Sequence, residues 1–135
     1  MTVRITGVPF DQITPRIQEA LDTALAGILN LQQDKLNAAN PRDSGRMASS
    51  WRVGHNTRPD ADRGKDWEST TGVKWEYESK ITFDGTWYIS NNVPYSVFIA
   101  YNYPPTATKA QKDWFTSIAN QTGVVFTRQF NKVKP

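Results

Sequence analysis

The sequence contains no cysteine and only one histidine, His55. The absence of cysteine excludes disulfides, thiolate nucleophiles and zinc sites with cysteine ligands, and it fits a reducing compartment. His55 has no second histidine near it, which argues against a metal site. A Ser-His-Asp triad could use only His55, and the chain has no nucleophile-elbow pattern. These absences disfavour an enzyme, and we expect no catalytic residue, no metal and no cofactor.

Long apolar runs and a strong charge imbalance are also missing. No stretch approaches the ~18 apolar residues that span a bilayer. The opening MTVRITGVPFDQ lacks the apolar core of a signal peptide. The formal net charge is only +3, and the basic residues are interleaved with acids rather than gathered into the stripe of a dedicated nucleic-acid binder. We therefore expect a soluble protein that is made and used in cytoplasm.

The chain has the length of one domain and many large aromatic residues. Its 135 residues predict a single domain over residues 1–135. Five Trp, five Tyr and six Phe would supply much of the buried core, and such residues also favour protein interfaces.

The clearest predicted helix covers residues 14–38. Thr14 can cap it, Pro15 suits its first position, and Asn40-Pro41 ends it. One apolar stripe follows the helical spacing and contains Ile17, Leu21, Ala24, Leu25 and Ile28. The opposite side carries the polar residues Gln18, Asp22, Gln32 and Gln33. This division predicts a helix that packs by one side only.

A short second helix is predicted to begin at Asp43 or Ser44. Met47 and Trp51 lie four positions apart and would share one face of it. We expect Trp51 to be buried against the long helix near Leu21 or Leu25.

The middle of the chain divides into a charged segment and a predicted hairpin. The charged segment, residues 54–72, is rich in charge, glycine and turn formers, and Trp67 is its only large apolar anchor. We predict that it is mobile in the free subunit and ordered by something outside the chain. Residues 73–90 alternate apolar with charged side chains, which predicts a hairpin that turns at residues 84–86.

The last third of the chain predicts two helices and a strand. Pro94 would open a short helix, residues 107–121 would form a second, and Gly123 would cap it. The final VVFTRQF is typical of a strand. The predicted fold class is α+β, with a long N-terminal helix packed on a small antiparallel sheet and further short helices.

Three arginines, Arg42, Arg46 and Arg52, surround one short segment. They could contact nucleic-acid phosphates, lie over apolar surface and pair with acids, or form ion pairs across a protein interface. We favour the interface. Arg46 would point away from the core of its own subunit, toward acids of an adjoining subunit, with Asp60 and Asp62 as candidate partners.

The segment NPRDSGRMASSWRVG, residues 40–54, resembles the Pro-x-Asp-Thr-Gly-Arg-Leu-x-x-Ser-Trp/Ile signature of small tailed-bacteriophage neck proteins. These are proteins of the head–tail connector, tail-completion or tail-terminator type. The matching positions are Pro41, Asp43, Ser44, Gly45, Arg46, Met47, Ser50 and Trp51. Downstream, YISNNVPYSVFIAYNYPPTA resembles a second segment of the same family, through Asn92, Pro94, Tyr95 and Tyr101.

The resemblance implies a structural virion protein that forms a ring, commonly six-fold, between the portal complex and the tail. Its partners would be further copies of itself and the adjacent portal, connector and tail proteins. Genomic DNA would pass through the central channel without sequence-specific binding, and no membrane is involved. Met47 and Trp51 would anchor the short helix, and Gly45 would permit a close backbone approach. The alternative, suggested by a pI of about 9.3 and the aromatics, is a small basic nucleic-acid-binding α+β protein.

Overall fold

In the part of the chain that the structure describes, the fold combines one long helix, a three-stranded sheet and three shorter helices. The computed structural model describes residues 1–6, 15–41, 45–69, 72–102 and 113–135. The strands are β1 (Thr2–Thr6), β2 (Arg52–His55) and β3 (Thr86–Ser90). The helices are α1 (Pro15–Ala39), α2 (Ser96–Asn102), α3 (Trp114–Asn120) and α4 (Thr122–Val133). The predicted α+β class, with a long N-terminal helix and a small antiparallel sheet, is confirmed.

Helix α1 matches the predicted helix to within one residue at each end. Pro15 opens it, and the backbone amide of Asn40 donates to the carbonyl of Leu36 where it ends. The expectation that it packs by one side only is wrong. Gln32 and Gln33 are 0% and 2% exposed, because their amides serve as hydrogen-bond donors to carbonyls outside the helix. The polar character of Gln32 and Gln33 therefore does not mean that they face solvent.

The sheet is antiparallel, and β3 lies between β1 and β2. The predicted hairpin over residues 73–90 is wrong, because β3 pairs with two strands that are distant in sequence. Trp87 and Ile89 of β3 are fully buried on the core face of the sheet. The residues before β3 leave the sheet and pack Tyr77, Ile81 and Phe83 against the core. The alternation of apolar and charged side chains in this segment therefore reflects burial of one side against the core, without pairing to another strand.

The C-terminal VVFTRQF is helical, and the predicted strand is wrong. Helix α4 places Val125 in the core, and the side chain of Gln129 lies so close to Gly27 that a Cβ there would meet its Oε1 at 2.9 Å. Gly123 is the second residue of α4 and does not cap the preceding helix, whose C-cap is Gln121. Close packing against α1 thus overrides the strand preference of β-branched valines. Of the predicted helix 107–121, residues 107–112 lie outside the described residues.

The predicted short helix that begins at Asp43 or Ser44 is replaced by a turn over residues 45–49. Both proposed starting residues lie outside the described ranges. Gly45 has a φ of +85°, a left-handed conformation that favours glycine. A Cβ at Gly45 would also collide with the carbonyl oxygen of Ser69, so the close backbone approach expected at this position is present.

Candidate protein-interaction surface

Arg46 forms a two-bond ion pair with Asp62 of its own chain. Its Nε donates to Asp62 Oδ1 at 2.9 Å, and its Nη2 donates to Asp62 Oδ2 at 2.6 Å. These hydrogen bonds lower the pKa of Asp62, and the same contact raises the pKa of Arg46. The expectation that Arg46 pairs with an acid of an adjoining subunit is corrected here, because the charged segment folds back over the turn at residues 45–49.

Arg52 is also held within its own chain. Its Nη1 donates to the main-chain carbonyl of Asp60 at 2.9 Å, and its guanidinium lies 4.4 Å from the ring centroid of Trp75. Asp60 therefore accepts the hydrogen bond from Arg52 with its backbone carbonyl and not with its carboxylate. Arg42, the third arginine of the predicted interface, lies outside the described residues.

A stack of alternating tryptophan and arginine side chains joins the charged segment to β2. We call it the Trp–Arg stack, and it contains Trp67, Arg63, Trp75 and Arg52 in that order. The Arg63 guanidinium lies 4.7 Å from the Trp67 ring and 4.1 Å from the Trp75 ring. Arginine over an indole face is a favourable cation–π arrangement. Sequence reasoning missed this stack, although two tryptophans in a polar stretch that also contains Arg63 were a visible signal.

The charged segment has more anchors than Trp67. Ala61 is fully buried, and its carbonyl accepts from the backbone amide of Asn92 at 2.8 Å. The backbone amide of Arg63 donates to Ser50 Oγ at 2.9 Å. The side-chain Nε of Arg63 donates to the carbonyl of Ser49, also at 2.9 Å. Trp67 is still the only large apolar side chain of the segment, but backbone and arginine contacts also fix the segment to the rest of the chain.

Trp51 is buried, but its neighbours differ from the expected ones. Its ring stacks on Phe115 with centroids 5.7 Å apart and meets Trp114 edge-on at 6.2 Å. Its Nε1 donates to Asn40 Oδ1 at 3.0 Å. Leu25 lies roughly 22 Å along the axis of α1 from Asn40, so the predicted contact with Leu21 or Leu25 is wrong. Trp51 instead joins the end of α1 to α3.

The two segments that carry the family resemblance meet in space. Asn91 Nδ2 donates to the carbonyl of Met47, which is buried, at 2.8 Å. The Arg46 guanidinium lies 5.7 Å from the ring of Tyr95, immediately after the exposed Pro94. At the other end, Pro41 accepts a hydrogen bond from Asn40 Nδ2. Asp43 lies outside the described residues.

Next to Arg46, a group of large apolar and aromatic side chains faces solvent. We call it the α2 surface, and it consists of Tyr95, Val97, Phe98 and Tyr101, which are 41–56% exposed. Three of them are on the seven-residue helix α2, where Tyr101 follows Val97 by four positions and Phe98 by three, so both side chains are neighbours of Tyr101 on the helix surface. Scattered exposed hydrophobic residues are ordinary, whereas a contiguous patch marks an interaction site.

Comparison of the chain with protein-family models, with curated proteins and with solved structures gave no match. Within the ranges that the structure describes, no group of three or more histidine, aspartate or glutamate side chains is arranged to hold a metal ion. None of the helices in those ranges has both the length and the apolar character needed to cross a bilayer.

Proposed function

We propose that the chain is a structural subunit of the neck of a tailed bacteriophage. It forms a hexameric ring between the portal complex and the tail, and genomic DNA passes through the centre. It assembles in the host cytoplasm and remains in the virion. The α2 surface carries this proposal, because a helix with three large exposed side chains, beside Tyr95 and Arg46, is suited to contact another protein. The resemblance to phage neck proteins at residues 40–54 and near Tyr95 is the reason for proposing a neck ring as the assembly.

The contacts that the arginines make within their own chain favour a protein partner over nucleic acid. Arg46 is neutralised by Asp62, and the guanidinium groups of Arg52 and Arg63 both lie against Trp75. Nucleic-acid binders use such groups to replace the counterions of phosphates, which makes their affinity fall steeply with salt. Arg46, whose charge Asp62 already offsets, contributes little to that effect, and contact with Trp75 restricts how Arg52 and Arg63 can approach a phosphate. Salt-dependent binding of duplex DNA by the purified chain would favour the alternative of a small nucleic-acid-binding protein.

Charge placed on the α2 surface tests the proposal. Val97→Asp should leave the subunit folded and lower the number of heads joined to tails, because a carboxylate would have to be desolvated at the interface. Val124→Asp is the matched control, since Val97 and Val124 are both 56% exposed and Val124 lies on α4. Joined particles are counted by electron microscopy after complementation of a deletion phage.

Two results would overturn the proposed function. One is equal joining with Val97→Asp and Val124→Asp, when both variants give the circular dichroism spectrum of the wild type. The other is absence of the chain from purified virions, measured by mass spectrometry.

A further inference from the structure

The side of the sheet that points away from α1 reaches solvent at β1 and β3. Val3 of β1 and Trp87 and Ile89 of β3 are buried in the core, so the alternate residues of both strands point to the other side. We call the surface of these residues the outer sheet face. It consists of exposed or half-buried residues, namely Thr2, Arg4, Thr6, Thr86 and Tyr88. None of these five positions carries an acid.

Arg4 and Tyr88 are direct neighbours on the outer sheet face. The register of β1 and β3 pairs them across the two strands. The next pair shows how closely side chains approach here, because the hydroxyl oxygens of Thr6 and Thr86 lie 3.4 Å apart. Arg4 is exposed, so its guanidinium stands in solvent beside the Tyr88 ring.

The segment after β2 brings a second arginine to the same face. Asn56 has a φ of +64° and turns the chain out of β2. The segment then packs directly on the β2 backbone, since a Cβ at Gly54 would meet Pro59 Cδ at 2.6 Å. This crossing places the Arg58 guanidinium 5.9 Å from the ring centroid of Tyr88. Tyr88 therefore has two exposed arginines as neighbours.

The charge of these two arginines is not offset by an ion pair. In the ranges that the structure describes, no carboxylate lies within 4.0 Å of the guanidinium of Arg4 or of Arg58. Exposed acids occur on the β2 side of the sheet. Asp60 follows Arg58 by two residues, and Glu76 and Glu78 line the cavity at the β2 edge. The positive charge is therefore concentrated toward β1 and β3.

We infer that the outer sheet face contacts the phosphate backbone of duplex DNA in the channel of the assembled ring. The inference rests on the proposed function and names the surface that meets the genome. Arginine binds phosphate with two parallel hydrogen bonds, and hydroxyls such as those of Thr6 and Tyr88 donate to phosphate oxygens in protein–DNA complexes. Phosphate contacts carry no sequence information, so DNA of any sequence could pass.

The composition of the outer sheet face favours DNA over a protein partner. The cores of protein interfaces depend on large apolar and aromatic side chains, such as the exposed Val97 and Phe98 of the α2 surface. On the outer sheet face, Tyr88 is the single large aromatic residue, and it is half-buried. Threonines and Arg4 make up the rest, and such side chains suit a hydrated, charged backbone.

Two arginines per copy are too few to hold DNA on an isolated subunit. Each neutralised phosphate contributes about −0.9 to the slope of log K against log salt concentration, so one copy gives about −2 and six copies give about −11. We therefore expect contact in the ring, where six copies act together, and no measurable duplex binding by one copy at physiological salt. This separates the inference from the alternative of a nucleic-acid-binding protein.

A photo-crosslinking residue on the outer sheet face tests the contact in virions. With p-benzoylphenylalanine in place of Thr6, which is exposed on β1, irradiation should link the chain to genomic DNA. The matched control carries p-benzoylphenylalanine in place of Thr127, which is exposed on α4 and therefore on a helix that packs against α1. The DNA-linked fraction of the chain is measured on denaturing gels after nuclease digestion.

Charge reversal then identifies the groups that hold the DNA. Arg4→Glu combined with Arg58→Glu should lower the fraction linked through position 6 at least fivefold, because two attractive contacts become repulsive. Arg128→Glu combined with Lys132→Glu reverses two exposed cations of α4 and should leave that fraction unchanged. Arg4→Gln with Arg58→Gln replaces the double reversal if the latter lowers the melting temperature of the subunit.

The other outcomes overturn the inference in different ways. Equal crosslinking from positions 6 and 127, or a linked fraction that reversal of Arg4 and Arg58 does not lower, would refute the DNA contact and leave the neck assignment standing. Failure of the folded double reversal to join heads to tails would make the outer sheet face a binding site for an acidic protein. Absence of the chain from virions would reject the proposed function and the DNA contact together.

Discussion

The imidazole of His55 lies flat against the indole of Trp87, with ring centroids 4.0 Å apart and an interplanar angle of 9°. Both side chains also bond to the carbonyl of Asp84, through His55 Nε2 at 2.9 Å and Trp87 Nε1 at 3.2 Å. The pair therefore fixes the turn before β3 to the end of β2. This gives the only histidine of the sequence a structural role.

Loss of this stacking should cost stability. We expect His55→Ala to lower the free energy of unfolding by about 1 kcal/mol, since stacked aromatic pairs contribute of that order beyond their buried area. His55→Phe retains the stacking and should lose less. Urea denaturation of the three proteins measures the difference. Equal midpoints for His55→Ala and the wild type would show that the stack contributes nothing.

Trp51 should be among the most sensitive positions in the core. Trp51→Ala removes the stacking on Phe115 and the bond to Asn40, and we expect a loss of roughly 3–5 kcal/mol. Trp51→Phe keeps an aromatic ring against Phe115 and should lose clearly less. Phe98→Ala, which removes a ring from the exposed α2 surface, is the matched control and should leave the thermal melt of the subunit unchanged. Similar losses for Trp51→Ala and Phe98→Ala would contradict this assignment.

The Arg46–Asp62 pair predicts a definite pH dependence. Because Arg46 lowers the pKa of Asp62 in the folded chain, the pair stabilises the fold above the ordinary aspartate pKa of about 3.9. That contribution is lost as the pH falls through the lowered value. The stability difference between wild type and Asp62→Asn should therefore be full at neutral pH and shrink below about pH 4. A difference independent of pH would refute the prediction.

Reversal of the same pair distinguishes a contact within one chain from a contact between chains. Arg46→Glu places two acids together and should destabilise the isolated subunit. Addition of Asp62→Arg should restore part of the lost stability in that same isolated subunit. If Arg46→Glu leaves the thermal melt unchanged, the pair contributes little to folding.

The charged segment should already be partly protected in the free subunit. The amide of Arg63, within the segment, donates to Ser50 Oγ, and the amide of Val73, immediately after it, donates to Ser49 Oγ, so we expect slow hydrogen exchange at both positions. Trp75→Ala removes the middle of the Trp–Arg stack and should accelerate exchange around Arg63. A segment that is mobile in the free subunit, as the sequence predicts, would exchange fast there, and this measurement decides between the two expectations.

Local signals made α1 predictable, whereas pairing between distant residues did not follow from the sequence. Pro15 and Asn40-Pro41 act on their immediate neighbours, so both ends of the helix could be located. The partners of β3 lie 80–88 positions earlier in β1 and 32–38 positions earlier in β2, and no local pattern specifies such pairs. VVFTRQF was predicted as a strand because its valines favour strands. It forms a helix because it packs closely against α1 at Gly27.

The sequence indicates which residues belong to the candidate surface but not which of them contact each other. Arg46 and Asp62 were both selected as ion-pair partners, yet a single sequence cannot say whether two charges belong to one copy or to two. Tyr95 was singled out through a family pattern, and its position beside Arg46 emerged only in three dimensions. The Trp–Arg stack was missed because Trp75 was assigned to a strand rather than to a partner of Arg63.

The odd number of strands in the described sheet gives the sheet a polarity. In an antiparallel sheet of three, the two outer strands, β1 and β2, point the same way and opposite to β3. One end of the sheet therefore carries the starts of both outer strands, the other end carries their last residues, and the two ends expose different residues. Copies set in one orientation around an axis would form a ring with unlike rims, as the proposed place between the portal complex and the tail requires.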